Sequence, residues 1–120
     1  NDSRESAAIY IADILIDEYA NVKVYDPKVT KAQMQSDLNF LNTRSEKDNA
    51  KYLQADNDPY KALKGAHAVA ILTEWDEFKT YDWKLIYQNM QKPAFVFDGR
   101  NIIDQKKLEE IGFIVKAIGK

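Results

Sequence analysis

The chain contains no cysteine in 120 residues, so disulfides, thiolate metal sites and a cysteine nucleophile are excluded from it. Its one histidine, His67, has no second histidine or cysteine to join, which argues against a zinc site or a nucleophile–base triad. There are only 4 glycines, and none stands near the first helix. The glycine fingerprint of a dinucleotide fold is therefore missing, and a nicotinamide site made by these residues alone is rejected. No apolar run approaches the ~20 residues that a membrane span needs, and no stretch reads as a signal peptide. Neither charge sign dominates: 17 Lys and Arg stand against 19 Asp and Glu, a formal net charge of -2. That balance argues against a broad nucleic-acid surface. Lack of cysteine fits a cytoplasmic location.

What remains is ordinary globular material, 45% hydrophobic and 30% charged, of a length suited to one domain over residues 1–120. The chain does not start with Met and reads as a fragment of something longer. Asp2 and Glu5 form a capping box that opens a helix. Ala8, Ile11, Ala12, Leu15 and Tyr19 recur at helical spacing along its inward face, with Asp13, Asp17 and Glu18 outward. Val22–Tyr25 is a short strand closed by Asp26-Pro27. Thr30 and Gln33 cap a helix that runs towards Leu38. Residues 39–56 are polar and weakly periodic, a loop or short helix with a minor strand near Tyr52-Leu53. Asp58-Pro59 starts a short helix that Gly65 ends. The spacing then predicts a strand over 66–72, a turn or short helix over 74–80, a helix from Asp82 to Met90, a strand over 94–97, a helix from Asp104 to Gly112 and a last strand over 113–118.

Strands alternating with helices predict an α/β fold with a mostly parallel sheet and right-handed crossovers. A domain of this kind normally opens with a central strand, whereas this chain opens with the helix that would follow it. The expectation is a sheet lacking its first strand, left with a gap or an open edge.

In an open parallel sheet, ligands bind at the carboxyl ends of the strands. The strand His67–Leu72 runs into Thr73-Glu74, and the strand before Asp98 runs into Asp98-Gly99-Arg100, so both polar ends are expected on one edge of one sheet. Glycine permits close backbone approach to a ligand, and arginine presents a planar fork of donors suited to phosphate. A tight turn with a surface arginine accounts for the same residues equally well. Arg4 lies in the first turn of the first helix, where a cation opposes the helix dipole. An anion site and a solvated arginine beside Glu5 both remain open there, the second favoured. Asp26 follows a strand at roughly the spacing of a ribose-binding acid, but without the glycines it reads as a turn residue. Glu74, Asp76 and Glu77 read as helix-start carboxylates. Trp75, Phe78, Tyr81 and Trp83 read as packing, or as an interface.

Asp2-Ser-Arg-Glu-Ser6, Val24-Tyr-Asp-Pro27, Asp58-Pro-Tyr60, Gly65-Ala-His-Ala68, Thr73-Glu-Trp-Asp76 and Phe97-Asp-Gly-Arg100 occur in that order. Together they resemble the C-terminal, UDP-binding domain of the UDP-glucose 6-dehydrogenases, over nearly the whole chain. Lys31–Asp37 and Thr73–Phe78 look closer to UDP-glucose enzymes than to GDP-mannose or UDP-amino-sugar relatives. The resemblance implies a three-layer Rossmann-like α/β domain without its first strand. It implies a parent that oxidises UDP-glucose to UDP-glucuronate in two NAD-dependent steps. NAD would be bound mainly by an N-terminal Rossmann domain, and a catalytic cysteine supplied by a central region that also dimerises, so the parent would be a homo-oligomer. The partners implied are UDP-glucose, UDP-glucuronate and the parent's own N-terminal and central domains, with no nucleic acid and no membrane.

Within the resemblance, Arg100 matches the family's substrate-binding arginine, and Arg4 matches an arginine that contacts NAD across the domain interface. No residue here matches a catalytic one and no metal is implied. The 120 residues alone are expected to be inactive and to hold UDP-sugar poorly. The C-terminal domain of a related UDP-amino-sugar or GDP-mannose dehydrogenase and a non-catalytic nucleotide-binding module are the competing readings. A receiver-like signalling domain would need clustered acids after a first strand and a late lysine, which cannot be placed.

Overall fold

The computed structural model describes residues 7–18, 20–73 and 76–117. Elements follow in the order α1 (Ala7–Asp17), β1 (Val22–Val24), α2 (Lys31–Phe40), α3 (Glu46–Tyr52), β2 (Leu53–Ala55), α4 (Pro59–Leu63), β3 (Ala68–Ile71), a 3₁₀ turn (Asp76–Thr80), α5 (Trp83–Asn89), β4 (Phe95–Asp98), α6 (Gln105–Ile111) and β5 (Ile114–Ala117). Among the described residues every strand pairing is parallel, as the alternation of strands and helices predicts. The strands form two sheets, β1-β2 and β3-β4-β5, and the chain divides into two compact units after Ala62. No helix among the described residues is long and apolar enough to cross a membrane.

In the first unit the core is Ala12, Ile16, Met34, Leu38 and Leu53, with Val22, Val24, Val29 and Tyr52 packed against it. The inward face of α1 needs correction. Ile9, Ala12 and Ile16 are buried, while Leu15, expected inside, is exposed along with Tyr10 and Ile14. Asp13, expected outside, is held by Arg44 at 2.8 Å. The helix is turned by one position relative to the expectation, because that ion pair and the core select between two apolar stripes of similar spacing. Asp2, Glu5 and Tyr19 lie outside the described residues. The helix α2 is capped as its sequence predicts, with Thr30 Oγ1 accepting from the Gln33 amide at 3.1 Å. The Gln33 side chain does not complete the box but donates to Asp37 at 2.8 Å. The stretch that is hard to read in sequence holds a real helix, α3, capped by Ser45 accepting from the Asp48 amide at 3.1 Å.

In the second unit one sheet face alternates inward. Val69 and Ile71 of β3, Val96 and Asp98 of β4, and Val115 of β5 are buried, as period-2 geometry requires. Trp83, Ile86, Met90, Leu108 and Phe113 are buried in the same unit. Asp82 caps α5 and Asp104 caps α6, each accepting from an amide three residues on at 3.1 Å. Gly112 ends α6 at φ 132, and a Cβ there would lie 2.6 Å from the Tyr87 ring. Tyr87 itself packs edge-on against Phe113. The position thus needs glycine for both conformation and space.

Candidate functional site

The site is built on the carboxyl edge of the sheet β3-β4-β5. Register pairs Ile71 with Asp98 and Asp98 with Ala117, so the three strands end level, and the segments after β3 and β4 leave side by side. The Gly99 amide donates to the Ile71 carbonyl at 2.9 Å, tying the start of the β4 loop to the end of β3. Thr73 and the sequence from Asp98 to Arg100 therefore share one sheet edge, as the sequence predicts. Glu74 and Trp75 lie outside the described residues.

Asp98 is the structural centre of this edge. It is 2% exposed, yet it carries a carboxylate. Its Oδ1 accepts from the Arg100 amide and its Oδ2 from the Ile103 amide, each at 3.0 Å. A buried carboxylate is tolerable only when such donors replace water. Asn101 reverses the chain at φ 57, a conformation asparagine adopts more readily than most residues. Ile103 is buried at the far end of the loop. Arg100 is exposed: a long cationic side chain stands on a backbone fixed at residues 99, 100 and 103. The arrangement can present a guanidinium to an anion at the strand ends, with little loop ordering left to do on binding.

Arg4, the other arginine singled out in sequence, lies outside the described residues. Asp26 is the turn residue expected, accepting from the Lys28 amide at 2.7 Å. His67 is exposed at the start of β3. Among the described residues no group of three or more His, Cys, Asp or Glu is placed to hold a metal ion. Of the aromatic run, Phe78, Tyr81 and Trp83 pack together. Phe78 and Trp83 are buried, the Trp83 indole donates to the Phe78 carbonyl at 3.2 Å, and rings follow one another from Phe78 through Tyr81 and Trp83 to Phe113 at 5.8–6.1 Å. Asp76 pairs with Lys79 on the surface at 3.5 Å, and Glu77 accepts from the Tyr81 hydroxyl at 2.7 Å.

Sequence reasoning misses a polar network in the first unit. Arg44 donates to the Asp13 carboxylate at 2.8 Å, to the Asp13 carbonyl at 3.0 Å and to Asn49 Oδ1 at 2.9 Å. Asn49 donates onward to Asn39 at 2.7 Å, and Thr43 donates to Asp13 at 2.8 Å. A shallow groove of about 360 Å³ beside it is lined by Ile16, Asp17, Arg44, Asp48 and Tyr52. The signal that could have found α3, and with it Asn49, is Ser45-Glu-Lys-Asp48, a serine followed three residues later by an acid. Nothing local marks the contact from Arg44 to Asp13.

Residues 1–105 match the model of the UDP-glucose/GDP-mannose dehydrogenase family, UDP binding domain. The chain is 48% identical over 130 residues to UDP-glucose 6-dehydrogenase 5 of Oryza sativa subsp. japonica, covering 99% of this chain and 27% of that protein. It is 49% identical over 118 residues to the UDP-glucose 6-dehydrogenase of Caenorhabditis elegans, covering 98% of this chain and 24% of that protein. The chain thus spans about a quarter of the length of these relatives. Among solved structures it resembles a UDP-D-ManNAc dehydrogenase from Pyrococcus horikoshii, with a TM-score of 0.54 at 21% identity, over 92% of this chain and 30% of that one. That likeness speaks for the fold.

Proposed function

From the premise that this chain belongs to the UDP-glucose/GDP-mannose dehydrogenase family, as a UDP-binding domain, we propose that residues 1–120 serve as the C-terminal domain of a polypeptide that oxidises UDP-glucose to UDP-glucuronate with NAD. The observation that carries the reading is Arg100, exposed at the carboxyl edge of a parallel sheet on a loop whose amides are tied at 99, 100 and 103. A guanidinium there binds and orients the diphosphate of the sugar nucleotide through paired N–H donors.

The preference for UDP-glucose over the family's other sugars rests on 47–49% identity to UDP-glucose 6-dehydrogenases of plants, nematode and fly. The chain has no cysteine and no glycine-rich nucleotide loop, so the nucleophile and most of the NAD site are assigned to other domains of the polypeptide. NAD, when bound, supplies the hydride acceptor. Arg4 is assigned a contact to NAD on the strength of the sequence resemblance alone. The whole polypeptide is assigned a homo-oligomeric state on the same basis, and a cytoplasmic location with which the lack of cysteine agrees.

The test is the full-length polypeptide assayed with NAD against UDP-glucose, GDP-mannose and a UDP-amino-sugar. Formation of UDP-glucuronate with a preference of at least about 100-fold in kcat/KM supports the reading, since a site built around one sugar's hydroxyls rejects analogues by such factors. Equal or better use of GDP-mannose overturns it. The 120-residue chain by itself forms no NADH.

A further inference from the structure

We propose that Asp98 is a positioning residue for Arg100: its buried carboxylate sets the loop from which the guanidinium reaches the nucleotide. This rests on the reading of Arg100 as the diphosphate contact.

Asp98 occupies the last inward position of β4, where a valine or isoleucine would pack as Val96 does. A carboxylate at 2% exposure adds nothing to an apolar core and is costly to desolvate. Both of its oxygens are nevertheless satisfied, and by the same short segment. One accepts from the amide of Arg100 itself and the other from the amide of Ile103. The positive φ of Asn101 curls the intervening residues so that the two amides converge on one carboxylate. The Gly99 amide fixes the start of the loop to β3, and Ile103 is buried at its end. Between these anchors Asp98 fixes the backbone from which the Arg100 side chain leaves. Charge-assisted bonds to backbone amides are among the stronger protein hydrogen bonds. A reacting complex is sensitive to displacements of about 1 Å in the groups that hold it. The inference is therefore that the carboxylate governs substrate affinity through Arg100 without touching substrate.

The test is a double-mutant cycle in the full-length polypeptide, using Asp98→Asn, Arg100→Ala and the pair. Asn keeps the shape but sets an NH2 group against one of the two amides. Asp98→Asn is expected to raise the KM for UDP-glucose about fivefold while leaving the KM for NAD unchanged, and Arg100→Ala to lower kcat/KM for UDP-glucose about 30-fold. In the Arg100→Ala background, Asp98→Asn is expected to add nothing, because the group it positions is gone. Additive effects, or a loss of thermal stability with the KM unchanged, would overturn the positioning role while leaving Arg100 as the contact. Unchanged kinetics in Arg100→Ala would overturn both readings. Should Asp98→Asn fail to fold, hydrogen exchange in the unmodified protein decides. The amides of Arg100 and Ile103 are expected to exchange at least about 100-fold more slowly than that of Asn101, since opening them requires breaking the Asp98 bonds. Equal exchange would sink the proposal.

Discussion

Two arginines, one in each unit, are held in opposite ways. Arg44 in the first unit has a side chain only 12% exposed, and it donates to the Asp13 carboxylate, the Asp13 carbonyl and Asn49. Arg100 in the second unit is exposed, on a backbone secured through Asp98 and the loop's other amides. In the first case the charge belongs to the fold: it joins α1 to the segment leading into α3. In the second a buried carboxylate helps fix the backbone of an exposed residue. Equal charge and equal donor capacity thus serve stability in one place and, on the function proposed above, recognition in the other. The distinguishing feature is burial: the Arg44 head is enclosed among its acceptors, whereas Arg100 is an exposed residue on a tied backbone.

Replacing each arginine should break the comparison if it is wrong. Arg44→Ala leaves Asp13, itself only 16% exposed on its side chain, without its cation, and leaves Asn49 Oδ1 without its donor. Removing one partner of a mostly buried pair costs about 3 kcal/mol, which denaturant unfolding of the chain would read as a lower midpoint with little change in slope. On the function proposed above, the KM of the full-length polypeptide for UDP-glucose should remain at its normal value. A functional defect in a variant that unfolds normally would show that the groove beside Arg44 has a role in binding. Arg100→Ala should do the reverse. Loss of one charge-assisted contact is worth about 2 kcal/mol in kcat/KM, and thermal stability should hold because Arg100 is exposed. A marked fall in melting temperature with unchanged kinetics would place Arg100 beside Arg44 as a structural residue.

Much of this was legible in the sequence wherever the cause is local. The caps at Thr30, Asp82 and Asp104 and the stop at Gly112 each depend on residues within about one helical turn. The motif from Phe97 to Arg100, and its place at a strand's carboxyl end, follow from the sequence. What was not legible depends on distant partners. Two apolar stripes of α1 have equivalent spacing, and Arg44, 31 residues beyond Asp13, takes part in the choice between them. The pairing of β1 with β2 and of β3 with β4 and β5 as separate sheets leaves no trace in any one segment. At the site, the sequence offers Arg100 readily but hides Asp98. An aspartate after an apolar strand looks like a turn residue, and only burial together with two converging amides distinguishes it from one.

The smallest expected effect sharpens the contrast on the structural side. Ser45 caps α3 by accepting from the Asp48 amide, and the next residue of that first turn is Asn49, buried at the junction of Arg44 and Asn39. Ser45→Ala removes the cap and should cost about 1 kcal/mol, whereas Ser45→Gly should cost only a few tenths, because glycine leaves the helix end open to water. If the Arg44 network is a cooperative unit, the cost of Ser45→Ala should shrink when Arg44 is already alanine, since a frayed first turn then has no network to disturb. A cost of Ser45→Ala that is the same in both backgrounds would mean that the cap acts on α3 alone. The arginine would then be anchored chiefly by Asp13, and the immobilised head of Arg44 would be a two-residue contact, not a property of the surrounding network.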